Sequence, residues 1–490
     1  VTINADTPFD EIEKLMIENN MGRFPVIEKG KLVGIVTRTD ILKAIYHKDI
    51  NEKNFSLDWE LPKTNISLSN KMKNYFSRQG MEFLILSGKV ADELGYKAYL
   101  VGGGVRDLIL GNNQDVDIDI VIEGDGIKFA HKIADKFNVE VIAHEKYGTA
   151  KIKMPEGTVD IATARTEFYE YPAANPFVDF STIRQDLYRR DFTINALAIH
   201  LNIESFGNIL DFFNGYKDII HKYLRILHNL SFIEDPNRIL RAVRLERKLG
   251  FKIEKATEEL AITAMNTGKF DYFINDRMKT EIKILFTNKY NSNLNIKRLF
   301  EINAIRFISP DLDYPKIENK LKRLARYIGI FKRVSLKPLK EWVLYMSLLL
   351  NEIKDNKYYE KMLNQLRFDK EEIKVLKMTK ELPEMLEKVN WHEIPDSDIY
   401  YFWNKYPDEV IIYAIATTNI KLIKKAIYKY ATKLKDIQIE VNGSYLKKIG
   451  IKEGRVIGDI LESVLLAKLN GKVIYKEDEY NYVQNLIKAE

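Results

Sequence analysis

The chain has 490 residues, of which 46% are hydrophobic and 30% are charged. It is too long for one hydrophobic core and too apolar for a disordered chain, so we expect two to four domains. Cysteine is absent, which excludes disulfide frameworks, thiolate zinc sites and cysteine nucleophiles. The charge is only mildly basic, with 76 Lys and Arg against 70 Asp and Glu, so nucleic-acid binding must depend on where the charges lie.

The sequence contains no long uncharged apolar run and no secretion signal at its start. We therefore expect a soluble, cytoplasmic protein.

The first 48 residues have the pattern of a small α/β unit. The pattern predicts a helix over 9–19, a strand over 23–28, a turn at Lys29-Gly30, a strand over 32–37 and a helix from Asp40. The segments Arg23-Phe-Pro-Val-Ile and Leu32-Val-Gly-Ile-Val-Thr-Arg-Thr-Asp40 resemble the second half of a cystathionine-β-synthase-type (CBS) module. In that family Thr39 and Asp40 would contact an adenosine nucleotide; the alternative is that a half module packs as a spacer.

CBS modules normally work in pairs, whereas this chain holds one such unit and opens on Val1 without a starting methionine. We therefore expect it to be a piece of a longer protein with further N-terminal domains.

The patterns in the rest of the chain predict an α+β fold. A polar linker over 49–70 precedes a mixed α/β region over 71–225 with a small mixed or antiparallel sheet. Helical patterns then dominate, and we divide them into the segments 226–290, 291–439 and 440–490.

Three glycines interrupt a strand-to-helix transition in Ala98-Tyr-Leu-Val-Gly-Gly-Gly-Val-Arg-Asp107. Backbone N–H groups at such a turn approach phosphate closely, and Arg106 would add a fork of donors. A plain tight turn is the alternative.

Three aspartates alternate with apolar residues in Gln114-Asp-Val-Asp-Ile-Asp-Ile-Val-Ile-Glu123. On a strand, Asp115, Asp117 and Asp119 would share one face, where their charges repel unless cations neutralise them. Two magnesium ions are the usual partners in nucleotidyl transfer, whereas the alternative is a solvated edge strand. Asp160, on another predicted strand, is either a third metal ligand or an ordinary surface acid.

Two adjacent arginines lie beside an acid in Gln185-Asp-Leu-Tyr-Arg-Arg-Asp-Phe-Thr-Ile-Asn-Ala-Leu-Ala-Ile199. We expect one guanidinium to bind a triphosphate or base and the other to be held by Asp191. Alternatively, Asp191 caps a helix that runs through Ala198.

An arginine stripe follows a helix start in Phe232-Ile-Glu-Asp-Pro-Asn-Arg-Ile-Leu-Arg-Ala-Val-Arg-Leu245. Asp235 is the predicted N-cap and Pro236 the first helical residue. The arginines at 238, 241 and 244 recur every three residues on one side of the helix, which suits a polyanion.

These four motifs, in this order, resemble the class II tRNA nucleotidyltransferases: the CCA-adding enzymes, their CC-adding and A-adding relatives, and bacterial poly(A) polymerases. The resemblance covers about residues 80–490 and implies a head domain over 71–225, a neck over 226–290, a body over 291–439 and a tRNA-binding tail over 440–490.

The resemblance also implies the roles of the site residues. Asp117 and Asp119 would be the catalytic metal ligands. Because Asp115 lies two residues earlier, the motif leaves open which two of the three aspartates bind the metal. Nucleotide binding would fall to Gly102, Gly103, Arg106, Arg190, Asp235, Arg238, Arg241 and Arg244. The implied reaction is two-metal phosphoryl transfer with Mg²⁺, from ATP and CTP or from ATP alone, to the 3′ end of tRNA.

Asp235 and Arg238 would act as an amino-acid template for the base. A carboxylate accepts from the exocyclic amine that cytosine and adenine share, and an arginine donates to the adjacent ring nitrogen. Uracil and guanine present a carbonyl oxygen instead, which leaves buried polar groups unpaired.

Two basic stretches in the helical half suggest contact with an RNA backbone: residues 314–342 and the six lysines between Lys421 and Lys435. Solvated helix faces are the alternative. The tail from Val441 to Leu461 resembles the segment of some CCA-adding enzymes that contacts the tRNA elbow, although a simple helix-turn-helix cap also fits.

The motifs are also compatible with other functions. A poly(A) polymerase would share the catalytic residues, and a non-catalytic adenosine-nucleotide sensor would use the CBS half. The motifs also leave addition of CCA or of the last A alone undecided. Residues 165–179 match the flexible loop that helps to switch from C to A addition, which argues against a CC-adding enzyme.

Overall fold

The computed structural model describes residues 1–8, 11–12, 14–16, 23–37, 40, 66–112, 118–154, 157–168, 177–287, 291–335, 337–451 and 454–489. The chain forms two compact units, one of residues 1–271 with 298–307 and the other of residues 272–297 with 308–490. The finer division into neck, body and tail stays a prediction. None of the helices within the described ranges is long and apolar enough to cross a membrane.

The N-terminal residues form the predicted hairpin. Strand β1 (Arg23–Glu28) pairs antiparallel with β2 (Lys31–Thr37). The turn residues Lys29 and Gly30 both have positive φ, 50° and 76°, as the tightest hairpin turns require. Asp40 accepts a hydrogen bond from the backbone N–H of Thr37 at 2.9 Å. Thr39 and most of the predicted linker lie outside the described residues.

The helices and strands between residues 69 and 211 include the mixed sheet of the first unit. They are α1 (Ser69–Tyr75), α2 (Arg78–Leu94), β3 (Lys97–Val101), α3 (Gly103–Leu110), β4 (Ile118–Glu123), α4 (Gly126–Phe137), β5 (Val141–His144), β6 (Thr149–Met154), β7 (Gly157–Thr163), β8 (Arg165–Phe168), β9 (Phe177–Phe180), α5 (Ile183–Tyr188), β10 (Leu197–His200) and β11 (Ile209–Asp211).

Seven of these strands form one sheet in the order β11-β10-β3-β4-β7-β6-β5. The β4–β7 pair is parallel and the other neighbouring pairs are antiparallel. Tyr99, Val121, Ala198 and Leu210 belong to a buried cluster on this sheet. Strands β8 and β9 pair as a separate hairpin within the segment predicted to be the flexible loop.

The alternative that Asp191 caps a helix through Ala198 is wrong. A single 3₁₀ turn, Thr193–Asn195, leads directly into β10. Residues Leu197, Ala198 and Ile199 are fully buried between β3 and β11, so sheet pairing and burial override the local helical preference.

The first unit continues with six elements: α6 (Gly215–His221), β12 (Tyr223–Leu224), α7 (Ser231–Glu234), α8 (Asn237–Leu249), β13 (Lys252–Ile253) and α9 (Lys255–Asn266). Helix α8 begins one residue later than predicted. Pro236 occupies the capping position, and the Asp235 carboxylate accepts from the N–H of Asn237 at 3.2 Å.

Arg298 ties residues 298–307 to the first unit. Its Nε lies 2.8 Å from Glu246 Oε2 and its Nη2 lies 2.6 Å from Glu258 Oε2. Both acids are largely buried with the arginine, so the pairs are strong only as long as all three groups are present.

We expect Arg298→Met to destabilise the protein by about 3 kcal/mol, because it leaves two partly buried carboxylates without their cation. Denaturant unfolding of the full chain measures this. Arg247→Met, at an exposed position of α8, should change stability by no more than about 0.5 kcal/mol. Equal effects of the two substitutions would contradict the stabilising role of Arg298 between its two acids.

Helices make up the second unit, as predicted. They are α10 (Asp276–Leu285), α11 (Ser292–Glu301, shared with the first unit), α12 (Tyr314–Val334), α13 (Glu341–Leu350), α14 (Asn356–Leu366), α15 (Lys370–Glu387), α16 (Asp396–Asn404), α17 (Asp408–Thr417), α18 (Lys421–Lys429), α19 (Gly443–Lys448), α20 (Arg455–Leu469) and α21 (Lys476–Ala489). All ten residues of α13 are buried, as expected of a central helix.

Candidate active site

The predicted glycine turn brings three of the sequence motifs together. Gly102 has a φ of +80° and ends β3, and α3 begins at the next residue. A Cβ at Gly102 would lie 3.0 Å from Asp119 Oδ2 and 3.3 Å from Arg190 Nη1. Glycine is therefore required here for two reasons: the left-handed backbone, and the close approach of a carboxylate and a guanidinium.

Asp119 lies on a central strand. Strand β4 runs between β3 and β7, so the alternative of a solvated edge strand is wrong. Asp119 pairs in register with Asp160 on the parallel strand β7, which places the two side chains on the same face of the sheet. Asp160 is 3.1 Å from Lys151 Nζ and half exposed. Asp115 and Asp117 lie outside the described residues.

Arg106 is buried within the turn and holds it in place. Its Nε and Nη2 each donate to the Asp107 carboxylate at 2.9 Å, and its Nη1 donates to Asn195 Oδ1 at 2.7 Å. A Cβ at Gly103 would lie 3.3 Å from Arg106 Nη2. These contacts account for three of the five N–H donors of the guanidinium. Direct phosphate binding by Arg106 stays a prediction.

The acid that holds the two adjacent arginines is Asp186, not Asp191. Asp186 is fully buried and accepts from Arg189 Nη2 at 2.7 Å and from Arg190 Nη2 at 3.2 Å. The reason is the helical spacing: residues three and four apart lie on the same side of a helix, so Asp186 is within reach of both Arg189 and Arg190.

Asp191 instead binds the arginine stripe of α8. Its Oδ2 accepts from Arg241 Nε at 2.8 Å, and its Oδ1 accepts from Asn195 Nδ2 at 3.0 Å. Arg238 is buried and donates from Nη2 to the carbonyl oxygen of Arg189 at 2.8 Å. The residues from 189 to 191 are therefore linked directly to α8. Arg244 is half-buried one turn further along the helix.

The charges of this cluster set the pKa values of its acids. Burial by itself would raise the pKa of the Asp186 carboxyl, but the charges and hydrogen bonds of Arg189 and Arg190 outweigh it and lower the pKa. The pKa of Asp191 is lowered in the same way, against its burial, by Arg241, Asn195 and Arg238. Both acids are therefore charged at neutral pH.

We expect Asp186→Asn to lower stability at pH 7 by about 3–5 kcal/mol, because two arginines lose their shared counter-ion. The pKa of Asp186 is lower when folded than when unfolded, so its contribution is present above about pH 4 and is lost as the pH falls through the folded pKa. The variant should therefore lose less of its stability in acid.

Unfolding free energies measured from pH 7 to pH 2 test this prediction. The control is Asp135→Asn, at an exposed position on α4. The same acid dependence in Asp186→Asn and the unsubstituted protein would refute it.

Acidic side chains neutralise much of the first basic stretch of the helical half, residues 314–342. Its lysines pair with acids of the same unit in five ion pairs: Lys316–Asp313, Lys320–Glu352, Lys322–Glu318, Lys332–Glu341 and Lys340–Asp369. Positive charge in the sequence is therefore a poor guide to positive surface here.

The second basic stretch keeps more of its charge. Lys429 and Lys435 pair with Asp396 and Asp408. Over the described ranges, Lys421 and Lys425 have no ion pair, and both are exposed on one side of α18 together with Tyr428, which is 66% exposed.

Two groups that hold the site arginines were not predicted from the sequence. In the sequence, the only signal for Asp186 is that it lies three residues before Arg189 and four before Arg190. Ser231 accepts a hydrogen bond from Arg238 Nη1, and its sequence neighbourhood carries no signal of that role.

Two family models match the chain: the poly A polymerase head domain over residues 98–225 and the CBS domain over residues 1–47. The A-adding tRNA nucleotidyltransferase of Geobacter sulfurreducens is 35% identical over 97% of this chain and 55% of its own length. This chain therefore spans about half the length of that relative.

Solved structures match most of this chain. The Thermotoga maritima CCA-adding enzyme in complex with tRNA has a TM-score of 0.73 and 32% identity, covering 86% of this chain and 99% of that one. A CCA-adding enzyme in complex with ATP has a TM-score of 0.72 and 31% identity, covering 87% and 98%.

Proposed function

Because this chain belongs to the tRNA nucleotidyltransferase family, we propose that it adds the terminal adenosine to the 3′ end of tRNA, with ATP as the nucleotide substrate. The observation that carries the proposal is the match with an A-adding enzyme along 97% of the chain, including the CBS region. The convergence of Gly102, Asp119 and Arg190 supports a nucleotide site in the matched head domain. The expected cytoplasmic location stays a prediction.

The second candidate is addition of all three nucleotides, C, C and A. It is supported by the full-length structural match with the Thermotoga maritima CCA-adding enzyme. Both activities would use the same Asp235 and Arg238, since cytosine and adenine share the exocyclic amine.

Three RNA substrates separate the candidates: tRNA that lacks CCA, tRNA that ends after the second C, and an unstructured RNA. We expect ATP to be incorporated only into the tRNA that ends in CC. Incorporation of CTP into tRNA lacking CCA would establish CCA addition. Repeated addition of ATP to unstructured RNA would establish a poly(A) polymerase and overturn the proposal.

Enzymes of this family use a divalent metal ion. We propose that it is Mg²⁺, held by Asp117 and Asp119. The donor set fits, because carboxylate oxygens are the hard ligands that Mg²⁺ prefers. Among the described residues no group of three or more potential ligands is gathered. When bound, the ion would lower the pKa of the RNA 3′-hydroxyl and offset charge on the triphosphate.

The protein groups around Gly102 bind and orient the nucleotide. Arg190 is fixed by Asp186 on one side and lies beside Gly102, where it presents positive charge to the triphosphate. Arg106 keeps the turn closed and its backbone N–H groups in place. Because these donors are already positioned, they need little reorganisation as charge develops in the transition state.

Asp235 and Arg238 select the base. Asp235 accepts from the exocyclic amine of adenine, and Arg238 donates to the adjacent ring nitrogen. Both side chains are buried, which makes an unpaired partner costly and so increases the discrimination against guanine and uracil.

We expect the double variant Lys421→Ala/Lys425→Ala to weaken tRNA binding and to reduce the slope of log affinity against log salt by up to about 2, one for each phosphate contact. Titrations at several salt concentrations measure this. Lys322→Ala, an exposed lysine paired with Glu318 at 2.9 Å, is the control and should leave the slope unchanged. An unchanged slope in the double variant would refute a role for this face of α18.

A further inference from the structure

The guanidinium of Arg238 is held from behind by two acceptors. Its Nη1 donates to the hydroxyl of Ser231, and its Nη2 donates to the carbonyl oxygen of Arg189 at 2.8 Å. Arg238 is 4% exposed and Ser231 is fully buried, so water does not compete for these bonds. Two of the five N–H donors of the guanidinium are used in this way, and the described part of the chain leaves the others for a ligand.

Buried groups surround this arrangement. The rings of Tyr188 and His228 stack at 5.1 Å with an interplanar angle of 16°. Burial, together with the charge of Arg238, lowers the pKa of His228 to about 3, so its ring is neutral at working pH. His228 Nε2 lies 3.4 Å from Glu234 Oε2. The neutral ring adds no second cation beside Arg238.

The hydroxyl of Ser231 fixes the plane of the Arg238 guanidinium. Ser231 is the first residue of α7, seven residues before Arg238 and across the break at Pro236. Bonds to both terminal nitrogens prevent the planar group from rotating, whereas one bond alone allows it to tilt. Recognition of a base edge depends on that plane, because the donors must lie in line with the acceptor on the base.

We propose that Ser231 is a specificity-determining positioning residue: its hydroxyl orients Arg238 so that the arginine discriminates between bases. This inference rests on the proposed role of Arg238 in base selection. The Arg189 carbonyl acts in the same way, but it belongs to the backbone, so Ser231 is the member of the pair that substitution can test.

The experiment is single-turnover incorporation of ATP and GTP into tRNA ending in CC. We expect Ser231→Ala to lower the ATP-to-GTP ratio of incorporation rates about tenfold, with a smaller change in KM for ATP, because a hydrogen bond to a charged group is lost. Ser231→Cys keeps the side-chain volume and has only a weak acceptor, so it should also lower the ATP-to-GTP ratio. This second variant covers the case in which the alanine variant does not fold.

Ser87→Ala is the matched control, because Ser87 is also fully buried and hydrogen-bonded, to the carbonyl of Phe83 at 2.8 Å. It should leave the ratio unchanged. In an Arg238→Ala background, Ser231→Ala should produce no further change in the ratio, because Ser231 acts through Arg238.

Two results would overturn the proposal: an unchanged ratio in folded Ser231 variants, including the case in which both rates fall equally, or a further change in the Arg238→Ala background. Failure of the underlying function is distinguishable from these. In that case the unsubstituted protein adds no nucleotide, or Arg238→Ala leaves the ratio unchanged.

Discussion

Asp119→Ala is expected to abolish nucleotide addition, with a loss of at least about a thousandfold in rate, and so is Asp117→Ala. These acids would hold the divalent ion, whose charge would offset that of the transition state by several kcal/mol, so the loss of one carboxylate would remove most of that effect. The affinity for tRNA should change little, because these acids bind metal and not RNA. Single-turnover rates and tRNA titrations measure the two effects separately.

Asp135→Ala, an exposed acid on α4, is the control and should keep normal rates. Asp115→Ala should be milder than the other two, and an equal loss would shift the metal site towards Asp115. Near-normal turnover in either Asp117→Ala or Asp119→Ala would show that the metal assignment is wrong.

Arg238→Ala should relax base selection as well as lower the rate, so that GTP and UTP compete with ATP. A bidentate contact to a base discriminates by about 1–3 kcal/mol, which is roughly a tenfold to hundredfold change in selectivity. Arg238→Lys keeps the charge and loses the planar fork, so it should retain nucleotide affinity better than base choice.

Incorporation of each of the four nucleotides into a trimmed tRNA measures this. Arg247→Ala is the control, because Arg247 lies exposed near the end of the same helix. If the ratios among nucleotides are unchanged in both Arg238 variants, Arg238 binds phosphate or supports the fold and does not read the base.

The helical part of the site shows how far local patterns reach. The Asp-Pro pair predicted the start of α8 to within one residue, and the spacing of its arginines predicted their common side. The partners of those arginines were not predictable, because Asp191 and Ser231 lie in other elements. Their contact with α8 depends on how the chain returns after β10 and β11.

The sequence by itself determined the hairpin turn at Lys29-Gly30, the glycine turn at 102–103 and the helical character of the second half. Each of these depends on neighbours within a few residues: on the φ angles that glycine permits, or on a repeat of 3.6 residues. The four ordered motifs also determined the family.

Only the tertiary structure decided which charges meet. It paired Arg241 with Asp191, placed Asp119 on a central strand in register with Asp160, and neutralised Lys320 with Glu352, an acid distant in the sequence. It also made a strand of residues 197–200. The physical reason is the same in each case: burial and ion pairing depend on distances across elements, which sheet order and helix packing set and local sequence does not encode.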